Sequence, residues 1–169
     1  AVRYVCENGL MAGITETQYA PDQTLTRGEM TSSLWKLAGS PQVAADAAGF
    51  VDTAGADCAG AVAWAADNGV VSGYGDSRFG PADPVTREQM SLMLLRYAQY
   101  AGMDTAQGGM TVREFADYDQ IAGYALEAVA WTVEAGLLTG TSSDTLAPGQ
   151  AATRVQTAQA LLALAQFTK

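Results

Sequence analysis

Apolar residues recur along this chain in short stripes with helical spacing. Val2 and Val5, with Ala1 and Tyr4, make the first, and Met30, Leu34 and Leu37, at i, i+4 and i+7, make the second. Val62, Trp64 and Ala65 lie on a helix expected over about 58–68, and Met90, Met93, Leu94 and Tyr97 on one that begins after Thr86 and stops at Gly102. A fifth helix is expected over about 120–135, presenting Ala128, Val129 and Trp131, and a sixth carries Leu161, Leu164 and Ala165. No convincing run alternates apolar and polar residues, so at most short strands are expected and the fold class is all-α, mostly helical.

The second, fourth and sixth stripes share a start signal. Thr26-Arg27-Gly28-Glu29, Thr86-Arg87-Glu88-Gln89 and Thr153-Arg154-Val155-Gln156 each place Thr three residues before Glu or Gln, the sequence form of a capping box. Helix starting therefore explains the threonines and the Glu or Gln, but not the arginines. Arg27, Arg87 and Arg154 fall at the first helical position, where the positive end of the helix macrodipole disfavours a cation by roughly 0.3–1 kcal/mol. An unfavourable charge placed three times at one phase implies an anion, held by the guanidinium together with the free N–H groups of the helix N-terminus. Thr111-Val112-Arg113-Glu114 reads as a further capping box for a single short turn, with its arginine out of phase.

Aligning the three arginines aligns the rest of the chain. Gly9, Gly69 and Gly136 lie 18 residues before them, Gly13, Gly73 and Gly140 lie 14 before, and Pro21, Pro81 and Pro148 lie six before. The offset between copies is 60 and then 67 at each of these positions, as in 69 − 9 and 136 − 69. The chain is thus one module of three units, 1–41, 50–102 and 115–169, each built as helix, structured loop and capped helix. The first unit begins part-way through the pattern, and Met103 to Gly109 is a polar link between the second and third. A two-helix unit this small cannot bury its own face, so the three are expected to pack around a shared axis, with the arginines near the grooves between neighbours.

Composition narrows the chemistry. A length of 169 residues allows a well-buried core, and no stretch is long and apolar enough to cross a membrane. The chain opens abruptly in helical sequence and is read as an excised module, with any signal peptide lying elsewhere. A net charge of −9 argues against nucleic acid or an anionic membrane as partner. There is no histidine, no phosphate-binding loop and no nucleophile-elbow motif, so no catalytic residues, cofactor or metal are assigned and the chain is not expected to be an enzyme. Cys6 and Cys58 lack metal-ligand spacing and stand open between one disulfide and two buried small residues. Asp76 invites a calcium-loop reading, but too few oxygen ligands follow it, and a plain turn is the simpler account.

These residues together resemble a tandem of three S-layer homology domains. That family's pattern runs roughly F-x-D-V, a helix with a tryptophan, G-I-I-x-G-Y-x-D-G-x-F-x-P and I-T-R-A-E. The second unit matches it with Phe50, Asp52, Trp64, Gly69-Val70-Val71-Ser72-Gly73-Tyr74-Gly75-Asp76, Phe79, Pro81 and Val85-Thr86-Arg87-Glu88-Gln89. The third keeps Phe115, Asp117, Trp131, Gly136, Gly140, Pro148 and Thr153-Arg154, and the first keeps Gly9, Gly13, Pro21 and Leu25-Thr26-Arg27-Gly28-Glu29. The resemblance implies a pseudo-threefold, three-pronged spindle located extracellularly, in the cell wall or S-layer of a bacterium. It would bind anionic, pyruvylated secondary cell-wall polysaccharide and anchor the attached extracellular domains of a larger chain. It also implies that the arginine of the T-R-A-E segment contacts the ligand. Copy one has Tyr4 in place of Trp and lacks Phe-x-Asp, Gly-Tyr-x-Asp survives only in copy two, and Gln replaces Glu in copies two and three. Arg87 is accordingly the leading candidate.

Candidate ligand-binding residues are then Arg27, Arg87 and Arg154, the capping Thr26, Thr86 and Thr153, the loop Gly73 and Gly140, Trp64 and Trp131 as sugar-stacking surfaces, and Asp52 and Asp117 as residues that hold an arginine for the ligand. Each has a structural counterpart. The arginines could pair with Asp52 or Asp117 of a neighbouring unit, the tryptophans could be core, and the glycines could serve positive φ or close backbone approach. A functional alternative is a degenerate repeat module acting as a protein–protein scaffold or docking domain.

Overall fold

The computed structural model describes residues 1–15, 17–43, 49–106 and 109–167; positions 107 and 108 of the expected link and the last two residues of the third unit lie outside the described residues. Six α-helices carry the fold: α1 Val2–Glu7, α2 Arg27–Leu37, α3 Ala59–Asp67, α4 Arg87–Tyr100, α5 Leu126–Glu134 and α6 Arg154–Gln166. Five stripes bury as read, through Val5, Met30, Leu34, Val62, Trp64, Met90, Leu94, Val129 and Trp131. In α6 the buried face is Thr157, Ala158, Ala160, Leu161 and Leu164, and Ala165 is exposed, one position round the helix from Leu164.

All three expected capping boxes form. The Thr26, Thr86 and Thr153 hydroxyls accept from the N–H three residues on, and Glu29, Gln89 and Gln156 accept from the threonine N–H at 2.8, 3.2 and 3.1 Å. Thr111–Glu114 is a short 3-10 turn without a capping box, because the Thr111 hydroxyl instead donates to Glu134 at the end of α5, 2.9 Å away. The helix expected from 120 starts late: two 3-10 turns, Tyr118–Gln120 and Gly123–Ala125, precede α5. Ala122 stays extended there, its N–H donating to the Glu88 carboxylate of the second unit at 3.0 Å. At the other end of the first helices, Gly9, Gly69 and Gly136 take φ of +66°, +71° and +71°, the left-handed stop that the sequence marks.

The helices pack mainly across unit boundaries, α2 on α3, α4 on α5 and α6 on α1, while α4 also touches α2 and α6. At the middle the backbone makes a closed ring. Leu25 N–H donates to Ala152 O (2.9 Å), Ala152 N–H to Val85 O (2.8 Å) and Val85 N–H to Leu25 O (2.9 Å), so each unit donates to one neighbour and accepts from the other. Isolated bridges Thr24–Thr153, Thr26–Pro84 and Thr86–Ala151 flank it and are the strand-like pairings found among the described residues. Leu25, Val85 and Ala152 are buried, so the ring lies in the core, and separating the units it joins would break its hydrogen bonds and expose these apolar residues to water.

Candidate functional site

The start of each capped helix is built into the loop of the next unit. Arg27 and Gly28 N–H donate to Asp83 O and Pro81 O, Arg87 and Glu88 N–H to Gln150 O and Pro148 O, and Arg154 and Val155 N–H to Gln23 O and Pro21 O, all at 2.8–3.0 Å. The free helix N-terminal amides expected to hold an external anion are therefore engaged with carbonyls. The guanidiniums follow the same path. Arg27 Nε donates to Phe79 O at 2.9 Å and Nη2 to Ser72 O at 3.1 Å. Arg87 donates to Leu146 O (2.7 Å) and Thr139 O, and Arg154 to Tyr19 O (2.8 Å) and Ala12 O. All three side chains are deeply buried, Arg27 6%, Arg87 2% and Arg154 5% exposed. For Arg87 burial lowers the pKa, with Asp117 acting in the opposite direction, and the guanidinium stays charged.

Each arginine thus spends Nε and Nη2 on two carbonyl oxygens of the following unit, which offset its position against the helix dipole. Nη1 is left over in Arg27 and Arg87, with no hydrogen bond to the described residues. In Arg154 it faces Glu29, 3.6 Å away.

Asp52 and Asp117 do not hold the arginines by hydrogen bonds. Asp52 accepts from Phe79 N–H and Gly80 N–H, both 2.8 Å, and Asp117 from Leu146 N–H (2.9 Å) and Ala147 N–H (2.6 Å), so each fastens its own unit's loop. The backbone bond from Phe79 leads the causes that hold the Asp52 carboxyl below the usual range. Trp64 and Trp131 are core, 3% and 1% exposed, in edge-on contact with Tyr100 and Phe167, so their faces are closed to a sugar. A Cβ on Gly73 would strike the Phe50 ring and the Arg78 carbonyl, and one on Gly140 the Ser142 and Thr145 carbonyls. Close packing, not positive φ, requires glycine at both. Thr26, Thr86 and Thr153 have their hydroxyls in the caps. Cys6 is exposed and Cys58 half-buried, both free thiols, so the disulfide is not formed.

Three grooves border the arginines, each made from the arginine of one unit and the loop and second helix of the next. Groove one, about 640 Å³, sets Arg154 against Leu10–Ile14 and α2; groove two, about 370 Å³, sets Arg27 against Val71–Tyr74 and α4; groove three, about 260 Å³, sets Arg87 against Gly136–Thr139 and α6. The most complete loop, that of the second unit, is consequently served by Arg27, while Arg87 lies in the smallest groove. Groove two also contains Arg96, whose Nη1 donates to Ser72 Oγ at 3.2 Å, while Arg27 Nη2 takes the same residue's carbonyl. Two guanidiniums meet at Ser72, and among the described residues no carboxylate lines this groove. Tyr74, 51% exposed, lies beneath Arg27 with its ring centroid 4.7 Å from the guanidinium carbon, its phenol donating to Asp83 at 3.0 Å. Tyr124 forms the far rim, its phenol held by Glu88 at 3.1 Å. Burial first, and then the Asp83 and Glu88 carboxylates, push both phenols above their ordinary pKa, so both remain donors at neutral pH.

Arg96 and Tyr124 were not singled out by the repeat pattern. The signal for Arg96 is helical: Gln89, Leu92, Met93 and Arg96 fall at i, i+3, i+4 and i+7, one face beside the buried stripe.

The geometry defines a helical repeat module with structural arginines buried at its unit boundaries and an open groove beside each. Comparison with known proteins agrees and names the family. The profile of the S-layer homology domain matches residues 1–31, 49–91 and 114–158, and the chain belongs to that family. Relatives include "Exoglucanase XynX" of Acetivibrio thermocellus, 30% identical over 96% of this chain and 15% of the relative. "Amylopullulanase" of Thermoanaerobacterium thermosulfurigenes is 28% identical over 96% of this chain and 9% of the relative. "S-layer protein" of Bacillus thuringiensis subsp. finitimus is 24% identical over 94% and 19%. The chain therefore spans less than a fifth of the length of each of these relatives. S-layer homology domains are non-catalytic modules of larger surface proteins that bind cell-wall polymers, which places this one extracellularly, at the cell wall or S-layer.

Proposed function

We propose that the module anchors a larger surface protein, such as an extracellular enzyme or adhesin, by binding an anionic secondary cell-wall polysaccharide of the pyruvyl-ketal type in groove two. One observation carries this reading: Arg27 and Arg96 converge on Ser72 in a groove with no lining carboxylate among the described residues, in a chain whose net charge is −9. A carboxylate entering there meets Arg27 Nη1 and the Arg96 guanidinium, and Tyr74 and Tyr124, whose phenol protons go to Asp83 and Glu88, offer ring faces and phenol acceptor oxygens to a sugar. Cyclic hydrogen bonding of the three units and the three inter-unit helix pairs support a pseudo-threefold, three-pronged arrangement.

Arg96 is the residue to test, because it makes no backbone contact that the fold depends on. In pull-down of purified wall polysaccharide, Arg96→Glu is expected to weaken binding on the order of tenfold or more, by replacing an attraction with a repulsion. Its melting temperature should stay within about 2 °C of wild type, as for a half-exposed polar change. Equal binding by both proteins would remove groove two from the reading, and retained association with a protein partner in its place would favour a docking domain.

A further inference from the structure

The three grooves are built alike but do not carry like charge, and the difference sits at two positions of the capped helix. The third helical residue is Glu29, Gln89 and Gln156 in grooves one, two and three, and the tenth is Lys36, Arg96 and Ala163. Groove two therefore combines a neutral residue with a second cation. Groove three has the neutral Gln156 but only Ala163 where the second cation would be. Groove one has the second cation, Lys36, but Glu29 places a carboxylate oxygen 3.6 Å from Nη1 of the buried Arg154.

We propose that this two-position code confines anion binding to groove two, and that Glu29 acts as an internal competitor that keeps groove one closed. The inference deepens the reading above and rests on it for the identity of the ligand. Glu29 suits the role because its two oxygens divide the work: Oε2 accepts the Thr26 N–H in the capping box, and Oε1 faces Arg154. At the equivalent positions Gln89 and Gln156 make the same cap through Oε1 without bringing a charge. The charge is thus separable from the cap, and the chain itself contains two working examples of the neutral version. Asp57 remains on the rim of groove one, so an opened groove one binds more weakly than groove two.

Glu29→Gln is the test. In 15N-labelled protein titrated with sulfate, the Nε–Hε signals of Arg27 and Arg96 are expected to move together while that of Arg154 stays still; in Glu29→Gln, Arg154 is expected to join them. Calorimetry with a pyruvyl-ketal hexosaminide should then show about one site per wild-type chain and about two per variant chain, the second weaker. A response of Arg154 in the wild type, its silence in Glu29→Gln, or no response of Arg27 and Arg96 to sulfate each overturns the code. Two failures can be told apart. Sulfate responses as expected without ketal binding sink the wall-polysaccharide reading and leave the code standing, while ketal binding with Arg154 silent in the variant sinks the code and leaves the reading.

Discussion

Arg87→Ala is expected to lose about 3–5 kcal/mol of folding stability and roughly 10 °C or more of melting temperature. The guanidinium is 2% exposed and donates to Leu146 O and Thr139 O of the third unit. Truncation removes two charge-assisted hydrogen bonds, worth about 1.5–3 kcal/mol each, and leaves carbonyl oxygens without donors beside a cavity. Arg87→Lys should recover less than half of the loss, since an ammonium cannot reproduce the fork that reaches two carbonyls at once. Thermal unfolding followed by circular dichroism decides it, and a melting temperature within about 3 °C of wild type would show that the second and third units are held without this residue. The same result bears on function. Loss of glycan binding by Arg87→Ala would report an unfolded unit boundary, whereas loss by Arg96→Glu reports the groove.

A cation at the positive end of a helix, three times at one phase, does mark a nearby negative potential. Its main source is the peptide carbonyl, at Phe79 and Ser72, Leu146 and Thr139, and Tyr19 and Ala12. Carbonyl oxygens leave no trace in a sequence, because every residue has one. Which carbonyl faces which side chain depends on the cyclic docking of units, set by the backbone ring through Leu25, Val85 and Ala152. The same docking explains why the second unit's loop is completed by the first unit's arginine, an exchange of partners that in-phase alignment cannot show.

Local features were more legible than contacts between units. The capping threonines, the left-handed glycines and the buried stripes follow from rules that act within four residues, and five of the six helices appear where those rules place them, α5 alone starting late. Trp64 and Trp131 are core, as the structural reading of their helical phase has it, each falling on its stripe with Ala65 or Val129. The late start of α5 was not legible, because it depends on Glu88 from another unit accepting the Ala122 N–H. Groove chemistry lay between these cases. Arg96, Lys36 and Ala163 align by the 60 and 67 offsets, but their importance appears only once Arg27, Arg154 and Arg87 are seen to border them.

Asp117→Ala is expected to cost about 2–4 kcal/mol, more than the same change at the equivalent Asp52. Both carboxylates bind two successive N–H groups of a loop, yet their surroundings differ. Asp117 is buried, and its partners Leu146 and Ala147 lie where Ala147 holds a φ of +52°, which a non-glycine residue adopts only when the surroundings enforce it. Removing the carboxylate strands two donors, one of them in the core, and releases that backbone to relax. Leu146 O is itself the acceptor for Arg87, so the loss spreads to the neighbouring boundary. At Asp52 the side chain is partly exposed, the second loop position is Gly80, and water can replace the lost acceptor. Asp52 also carries a dependence on pH. The folded pKa of Asp52 is depressed, chiefly by the Phe79 N–H bond, so its contribution is present above the unfolded value of about 3.9 and is lost as pH falls through the folded value. Asp52→Asn should therefore lower the melting temperature at pH 7, where the ionised carboxylate contributes, and converge with wild type as pH falls below about 4, so the variant's curve is flatter in acid. Equal destabilisation by Asp117→Ala and Asp52→Ala at pH 7 would mean that burial and the strained turn at Ala147 add nothing, and that the two loops are fastened by hydrogen bonds of equal worth.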